Sequence, residues 1–78
     1  MNIVVYTKSG CPNCVTAKRL LSFKKLEFDE VDVEAKPEAL RALIELYPSV
    51  RQMPQILIDG QRVGGLAGLQ AALHQLGK

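Results

Sequence analysis

Few cysteines, a single histidine and no long apolar run set the first limits on this chain. Its 78 residues hold only two cysteines. That is too few for the disulfide framework of a small secreted domain, and the two stand three positions apart rather than bridging distant segments. No stretch approaches the roughly 18 apolar residues of a membrane-spanning helix, and the N-terminus shows no signal-peptide pattern. The chain is therefore expected in the cytoplasm with no membrane partner. In that compartment a close cysteine pair more often carries chemistry or metal than structure. An excess of one charge is lacking too: ten Lys and Arg against eight Asp and Glu leave +2. No basic run is interleaved with aromatics, so no nucleic-acid partner is expected. No linker, repeat or low-complexity tract divides the chain, and one domain over residues 1–78 is expected. A chain of this size buries about 62% of its unfolded surface, which makes a thin core.

What is present reads as a string of short elements. Residues 3–6 are an apolar, β-branched run, the mark of a buried strand. A helix is predicted to start near Cys11, with Pro12 at its first position, where a missing N–H costs nothing. Val15, Ala17, Leu20 and Leu21 are expected to face inward along it, and Lys18, Arg19, Lys24 and Lys25 to face water. Residues 28–33 read as a second strand whose charges suit a sheet edge. Strand, helix, strand makes these two strands parallel. Pro37 opens a second helix, Leu40, Leu43, Ile44 and Tyr47 form its apolar stripe, and Pro48 ends it. Residues 55–58, the turn Asp59-Gly60 and residues 61–63 read as a hairpin. After Gly64-Gly65, the stripe Leu66, Leu69, Leu73 and Leu76 predicts a last helix capped by Gly77. The order is βαβαββα, an α/β domain with a mixed sheet and helices on its faces.

Cys11-Pro12-Asn13-Cys14 stands between the first strand and the first helix. A thiolate at a helix N-terminus is favoured by unpaired N–H groups and the helix dipole, so Cys11 is expected to be the more acidic thiol. Lys8, three residues upstream, adds positive charge. Positions i and i+3 share a helix face, at a separation a disulfide can span, and Pro12 stiffens the turn. Cys11 is then the exposed attacking thiol and Cys14 the half-buried resolving one. Other readings compete. The pair could be merely structural, or it could hold metal. A closed zinc site needs four ligands, and beyond the cysteines there is only the distant His74, expected to be exposed. A soft-metal (copper) carrier could use two thiolates alone. Such carriers are similar in size but run βαββαβ, usually with Met shortly before the first cysteine, where this chain has Ser9-Gly10. The placement favours thiol–disulfide exchange, with the copper carrier as the alternative of another class.

The segment Tyr6-Thr7-Lys8-Ser9-Gly10-Cys11-Pro12-Asn13-Cys14 resembles the strand-to-CPYC segment of glutaredoxins. Met53-Pro54-Gln55-Ile56 resembles their TVPQ-type segment. Ile58-Asp59-Gly60, then Val63-Gly64-Gly65, resembles their hairpin and paired glycines. The resemblance runs in order over nearly the whole chain. It implies the thioredoxin fold, with sheet order 2-1-3-4 and the third strand antiparallel to the first. It implies Cys11 as nucleophile and Cys14 as resolving cysteine, supported by Pro12, Lys8 and Pro54. It also implies a cis Met53–Pro54 bond facing the cysteines, with the Met53 backbone pairing to substrate or glutathione. Lys8 and Arg51 match carboxylate-binding positions. Gly64-Gly65 match the turn that brings the last helix, at Leu66 and Ala67, to the γ-glutamyl carboxylate, and Asn13 completes the expected contacts. Glutathione is implied as reducing co-substrate, with no tightly bound cofactor and no metal. Disulfide-containing or glutathionylated proteins are the implied partners. Some family members bridge two copies through a glutathione-ligated iron–sulfur cluster. Pro12 after the first cysteine argues against that, and a monomer is expected.

Three departures stand out. Asn13 replaces the usual Tyr of the active-site loop, and Gln52 stands where Thr is common. Ala67 and Gly68 occupy positions that are commonly polar or acidic. A carboxylate there would pair the glutathione amino group. Arg51-Gln52-Met53-Pro54 also resembles the Arg-Gln-Leu-Pro of glutaredoxin-like redoxins that serve ribonucleotide reductase and take electrons from thioredoxin reductase, although those lack the paired glycines.

Overall fold

Strand β1 (Ile3–Thr7) is the spine of the fold. Ile3, Val5 and Thr7 are buried on one side and Val4 and Tyr6 half-buried on the other, as alternation along a central strand requires. The computed structural model describes residues 1–78. Strand β2 (Asp29–Asp32) runs parallel to β1, and β3 (Gln55–Ile58) runs antiparallel to it. β3 pairs in turn with β4 (Gln61–Gly64), giving the sheet order β2-β1-β3-β4. The charged β2 occupies the edge. It is shorter than the pattern of residues 28–33 suggests, because Phe28 and Val33 turn out of the ladder, although the Val33 N–H still reaches the Thr7 carbonyl at 2.9 Å. At the hairpin both Asp59 (φ 52°) and Gly60 (φ 81°) are left-handed, the requirement of a two-residue type I′ turn.

Helices α1 (Pro12–Phe23) and α3 (Leu66–Gln75) cover one face of the sheet. Ala17 and Leu21 of α1 and Leu69 and Leu73 of α3 close over Ile3, Val5, Ile56 and Ile58 in one buried cluster. Pro12 sits in the first turn of α1, and Gly77 (φ 74°) follows α3. The Lys78 N–H bonds the Leu73 carbonyl and the Gly77 N–H that of His74, the paired closure of a Schellman cap. Helix α2 (Pro37–Leu46) covers the other face, where Tyr47 at its C-terminal end meets Arg62 of β4.

Three expected inward positions are exposed instead: Val15 (44%), Ile44 (40%) and Leu76 (52%). Val15 lies about 100° around α1 from Cys14, off the buried row Cys14, Ala17 and Leu21. Leu76 is the cap residue of α3, beyond the last turn that reaches the core. Of the α2 stripe only Leu43 is buried, because one ten-residue helix alone covers its side of the sheet.

Candidate active site

The end of β1 and the start of α1 create the cysteine site. Cys11 has extended backbone (φ −112°, ψ 98°) and is the N-cap of α1. Its carbonyl accepts the N–H groups of Cys14 and Val15 at 3.1 and 3.3 Å. Its sulfur also accepts the Cys14 N–H, at 3.2 Å, so the thiol group does the work of a capping oxygen. The two cysteines are joined as a disulfide, with Cα atoms 5.2 Å apart.

Cys11 is not the exposed residue the sequence suggests. It is 8% accessible and Cys14 2%. The cover comes from 42 residues further along, where the Met53 carbonyl oxygen lies 3.4 Å from Cys11 Sγ. Cys11 remains the more accessible of the two, with the Met53 backbone beside its sulfur. The Met53–Pro54 bond is cis, and Pro54 is buried.

A groove of about 390 Å³ adjoins the cysteine site through Asn13 and Met53 and is lined also by Arg51, Pro54, Leu66 and Ala67 among others; neither cysteine is in its lining. These expected contacts are brought together. Lys8 is not among them: it borders a smaller adjoining hollow of about 180 Å³, which shares Arg51 and Met53 with the groove. Gly64 also lies outside the lining. Its part is the turn, at φ 105°. Gly65 is the N-cap of α3, and a Cβ there would stand 3.3 Å from the Pro54 carbonyl oxygen. The bare backbone thus lets the helix start against the proline segment. Gly68 is still more constrained, since a Cβ would lie 1.9 Å from the Val63 carbonyl oxygen. The carboxylate missing from this end of the groove therefore cannot be restored at Gly68, and only the exposed Ala67 has room for it. Larger hollows beside Leu26–Asp29 and between β4 and α3 do not touch the cysteines.

Sequence reasoning missed two charges. Glu34 accepts the Ser9 N–H at 3.1 Å; hydrogen bonding to Ser9, its side chain first and this N–H second, holds the carboxyl below the usual range, with Lys8 adding to the effect. Arg62 lines the groove and donates Nε–H to Gln55 Oε1 at 2.9 Å. The only cue in the sequence is its place in the hairpin opposite Leu57, two residues from Gln55. No group of three or more His, Cys, Asp or Glu side chains is placed to hold a metal ion, and no helix is long and apolar enough to cross a membrane.

Residues 3–63 match the family model described as Glutaredoxin. The chain is a member of the glutaredoxin family. It is 41% identical over 76 residues to the glutaredoxin of Pseudomonas aeruginosa, covering 97% of this chain and 88% of that protein. The solved structure of reduced Escherichia coli glutaredoxin superposes with a TM-score of 0.79 at 32% identity, covering 96% and 95% of the two chains. The glutaredoxin-like NrdH-redoxin of Escherichia coli, whose structure is described as the basis of a thioredoxin-like activity profile, superposes equally well (TM-score 0.79). It is 26% identical, over 91% of this chain and 93% of that one. The fold is the thioredoxin fold, and the βαβαββα order sets it apart from the βαββαβ copper carriers. Like its glutaredoxin relatives, the chain is a thiol–disulfide oxidoreductase with a Cys-x-x-Cys pair.

Proposed function

We propose that this glutaredoxin reduces protein disulfides and glutathionylated proteins in the cytoplasm, working as a monomer with glutathione as its reductant. The observation that carries the reading is Cys11 Sγ, which caps α1, accepts the Cys14 N–H and lies 3.4 Å from the carbonyl oxygen of Met53, a residue that also lines a groove carrying Arg51 and Arg62. In the reduced protein the same N–H and the helix terminus favour a Cys11 thiolate. That thiolate attacks one sulfur of a substrate disulfide, forming a mixed disulfide and expelling the other sulfur as a thiolate, which takes a proton from water. The Cys14 thiolate then attacks Cys11 Sγ and releases the reduced substrate. Two electrons have passed to the substrate, and the Cys11–Cys14 disulfide remains. One glutathione thiolate opens it at Cys11; a second attacks the resulting mixed disulfide, leaving glutathione disulfide and the dithiol. Arg51, Lys8 and the start of α3 supply positive charge for glutathione carboxylates, and the Met53 backbone offers an extended partner for its cysteinyl part. No tightly bound cofactor takes part.

A second reading is favoured by the missing carboxylate at Ala67 and Gly68 together with Arg51-Gln52-Met53-Pro54. On that reading the chain is an electron donor to ribonucleotide reductase, recharged by thioredoxin reductase. Turnover of a glutathionylated protein with glutathione, set beside turnover of a dithiol substrate with thioredoxin reductase, separates the two. We expect glutathione to sustain turnover. Cys11→Ser is expected to abolish it, while Cys14→Ser still reduces the glutathionylated substrate. Activity with thioredoxin reductase alone would establish the second reading, and an active Cys11→Ser variant would remove the mechanism.

A further inference from the structure

Arg62 belongs neither to the cysteine motif nor to the positions that resemble glutathione contacts, yet it lines the same groove. The register of the hairpin puts it there. Leu57 of β3 faces Arg62, but the next residue, Ile56, faces Gly64, so Val63 is an extra residue in β4. Such a bulge re-aims neighbouring side chains. Arg62 shares its sheet face with Leu57 and Gln55 and reaches along β3 toward the proline segment, where Nε donates to Gln55 Oε1 at 2.9 Å. Gln55, only 6% accessible, is anchored in turn by its own amide, which donates to the Gln52 carbonyl at 2.8 Å. The guanidinium also lies over the Tyr47 ring, 5.6 Å from its centroid. It is thus held in orientation with only Nε engaged. Its terminal amino groups have no protein acceptor, and the ion pair of the molecule, Lys18–Glu30, is elsewhere. Those free groups form the edge that grips a carboxylate in a two-pronged bond.

The groove therefore carries two arginines, Arg51 and Arg62, and no acidic side chain. We propose that Arg62, acting with Arg51, is a specificity-determining residue that selects polypeptide disulfides flanked by acidic side chains. The inference rests on the exchange reading above and narrows its substrate class. Two unanswered guanidiniums in a groove that reaches the cysteine site at Asn13 and Met53 attract a substrate strand bearing Glu or Asp and repel one bearing Lys or Arg.

The test uses the reduced full chain and three synthetic peptides of equal length, each closed by one intramolecular disulfide, with Glu, Gln or Lys at the positions next to the attacked cysteine. An exposed charge pair changes affinity a few-fold, and exchanging Glu for Lys reverses two such pairs, so the Glu peptide is expected to react about tenfold faster than the Lys peptide at low salt. The Gln peptide should fall between them. In Arg62→Gln the ratio is expected to drop to about threefold, one pair remaining. Arg62→Lys keeps the charge without the forked edge or the Nε bond to Gln55 and should give a ratio between those of the unaltered protein and Arg62→Gln, whereas a purely structural Arg62 would leave the ratio the same in both variants. Equal rates for the Glu and Lys peptides in the unaltered protein, or a ratio unchanged in Arg62→Gln, would overturn the assignment. Failure to reduce any of the three peptides would remove the exchange reading itself, and the inference with it.

Discussion

The two faces of the sheet are built for different work. On one, α1 and α3 seal Ile3, Val5, Ala17, Leu21, Ile56 and Leu69 to 2% accessibility or less. On the other, α2 buries Leu43 alone and leaves Ile44 and Leu46 in water. Yet Gln55 and Arg62, which line the groove, meet on the thin face, where Arg62 also lies over the Tyr47 ring. Free energy of folding is concentrated where two helices share a core, and the groove proposed for recognition reaches the side where one helix covers the sheet loosely. The cysteines stand at the junction: Cys11 caps a helix of the packed face, and its sulfur looks toward the Met53 carbonyl. Cys11 is thereby placed by rigid structure, while the adjoining groove can vary in charge without disturbing the core.

The strongest test of this contrast is a pair of truncations. Leu21→Ala removes a fully buried side chain between α1 and the sheet and is expected to cost about 2–5 kcal/mol. Ile44→Ala, on the thin face, should cost under about 1 kcal/mol. Urea unfolding of both variants checks this, and comparable losses would mean that α2 carries as much of the stability as α1.

Legibility in the sequence follows the same division. The packed face could be read because its signals are local. A β-branched run makes β1, Pro12 starts α1, and Asp59-Gly60 demands positive φ at both turn positions. The cysteine motif belongs to this class, since the helix N-cap follows from Pro12 at the next position. The groove was legible only where it resembled other glutaredoxins. Arg62 was missed because its aim depends on one extra residue in β4, and hydrophobic pattern does not report a bulge. The burial of Cys11 was missed because Met53, distant in sequence, lies against its sulfur, the exposure of Val15 because the buried row of α1 runs through Cys14, Ala17 and Leu21 instead, and that of Leu76 because it is the cap beyond the last turn of α3. The end of α1 carries no glycine or proline. It stops through Lys25 at φ 59°, with the Leu26 N–H closing on the Leu21 carbonyl.

The second pair of substitutions probes the border between the faces, at the start of α3. Gly68→Asp forces a Cβ against the Val63 backbone, so it should destabilise by about 1–3 kcal/mol, the usual cost of overpacking, and should not improve glutathione use. Ala67→Asp adds the same carboxylate one residue earlier, at an exposed position lining the groove. The first turn of α3 has no acidic residue, so the new charge should be neutral or favourable to stability through the helix dipole. It should also raise glutathione kcat/KM about tenfold, the value of one well-made charge-assisted bond to the glutathione amino group. Thermal melting and glutathione-dependent turnover measured on both variants give the answer. Stronger glutathione use in Gly68→Asp than in Ala67→Asp would show that β4 and α3 separate readily, against the packed-face description.

The smallest effect lies at the rim of the packed face, where α1 is tied to the sheet edge. Glu30 Oε2 accepts both Lys18 Nζ and Thr7 Oγ1 at 2.8 Å. These bonds, Lys18 first, hold its carboxyl below its ordinary value of 4.5. A carboxylate whose folded-state pKa is depressed contributes stability that is fully present above the unfolded value and is lost as pH falls through the folded one. The side chains of Lys18 and Glu30 remain 33% and 40% exposed, so solvent screening should limit the contribution to under about 1 kcal/mol. Lys18→Met removes the partner and leaves the aliphatic stem in place. Denaturant unfolding of both proteins at pH 7 should give the unaltered chain a small advantage. The advantage should shrink as pH drops below 4.5 and should also shrink in high salt, where an exposed pair is screened. A difference that stays constant into acid would mean that Lys18 acts through its packing on α1 and β2, and the tie between helix and edge strand would then be hydrophobic rather than ionic.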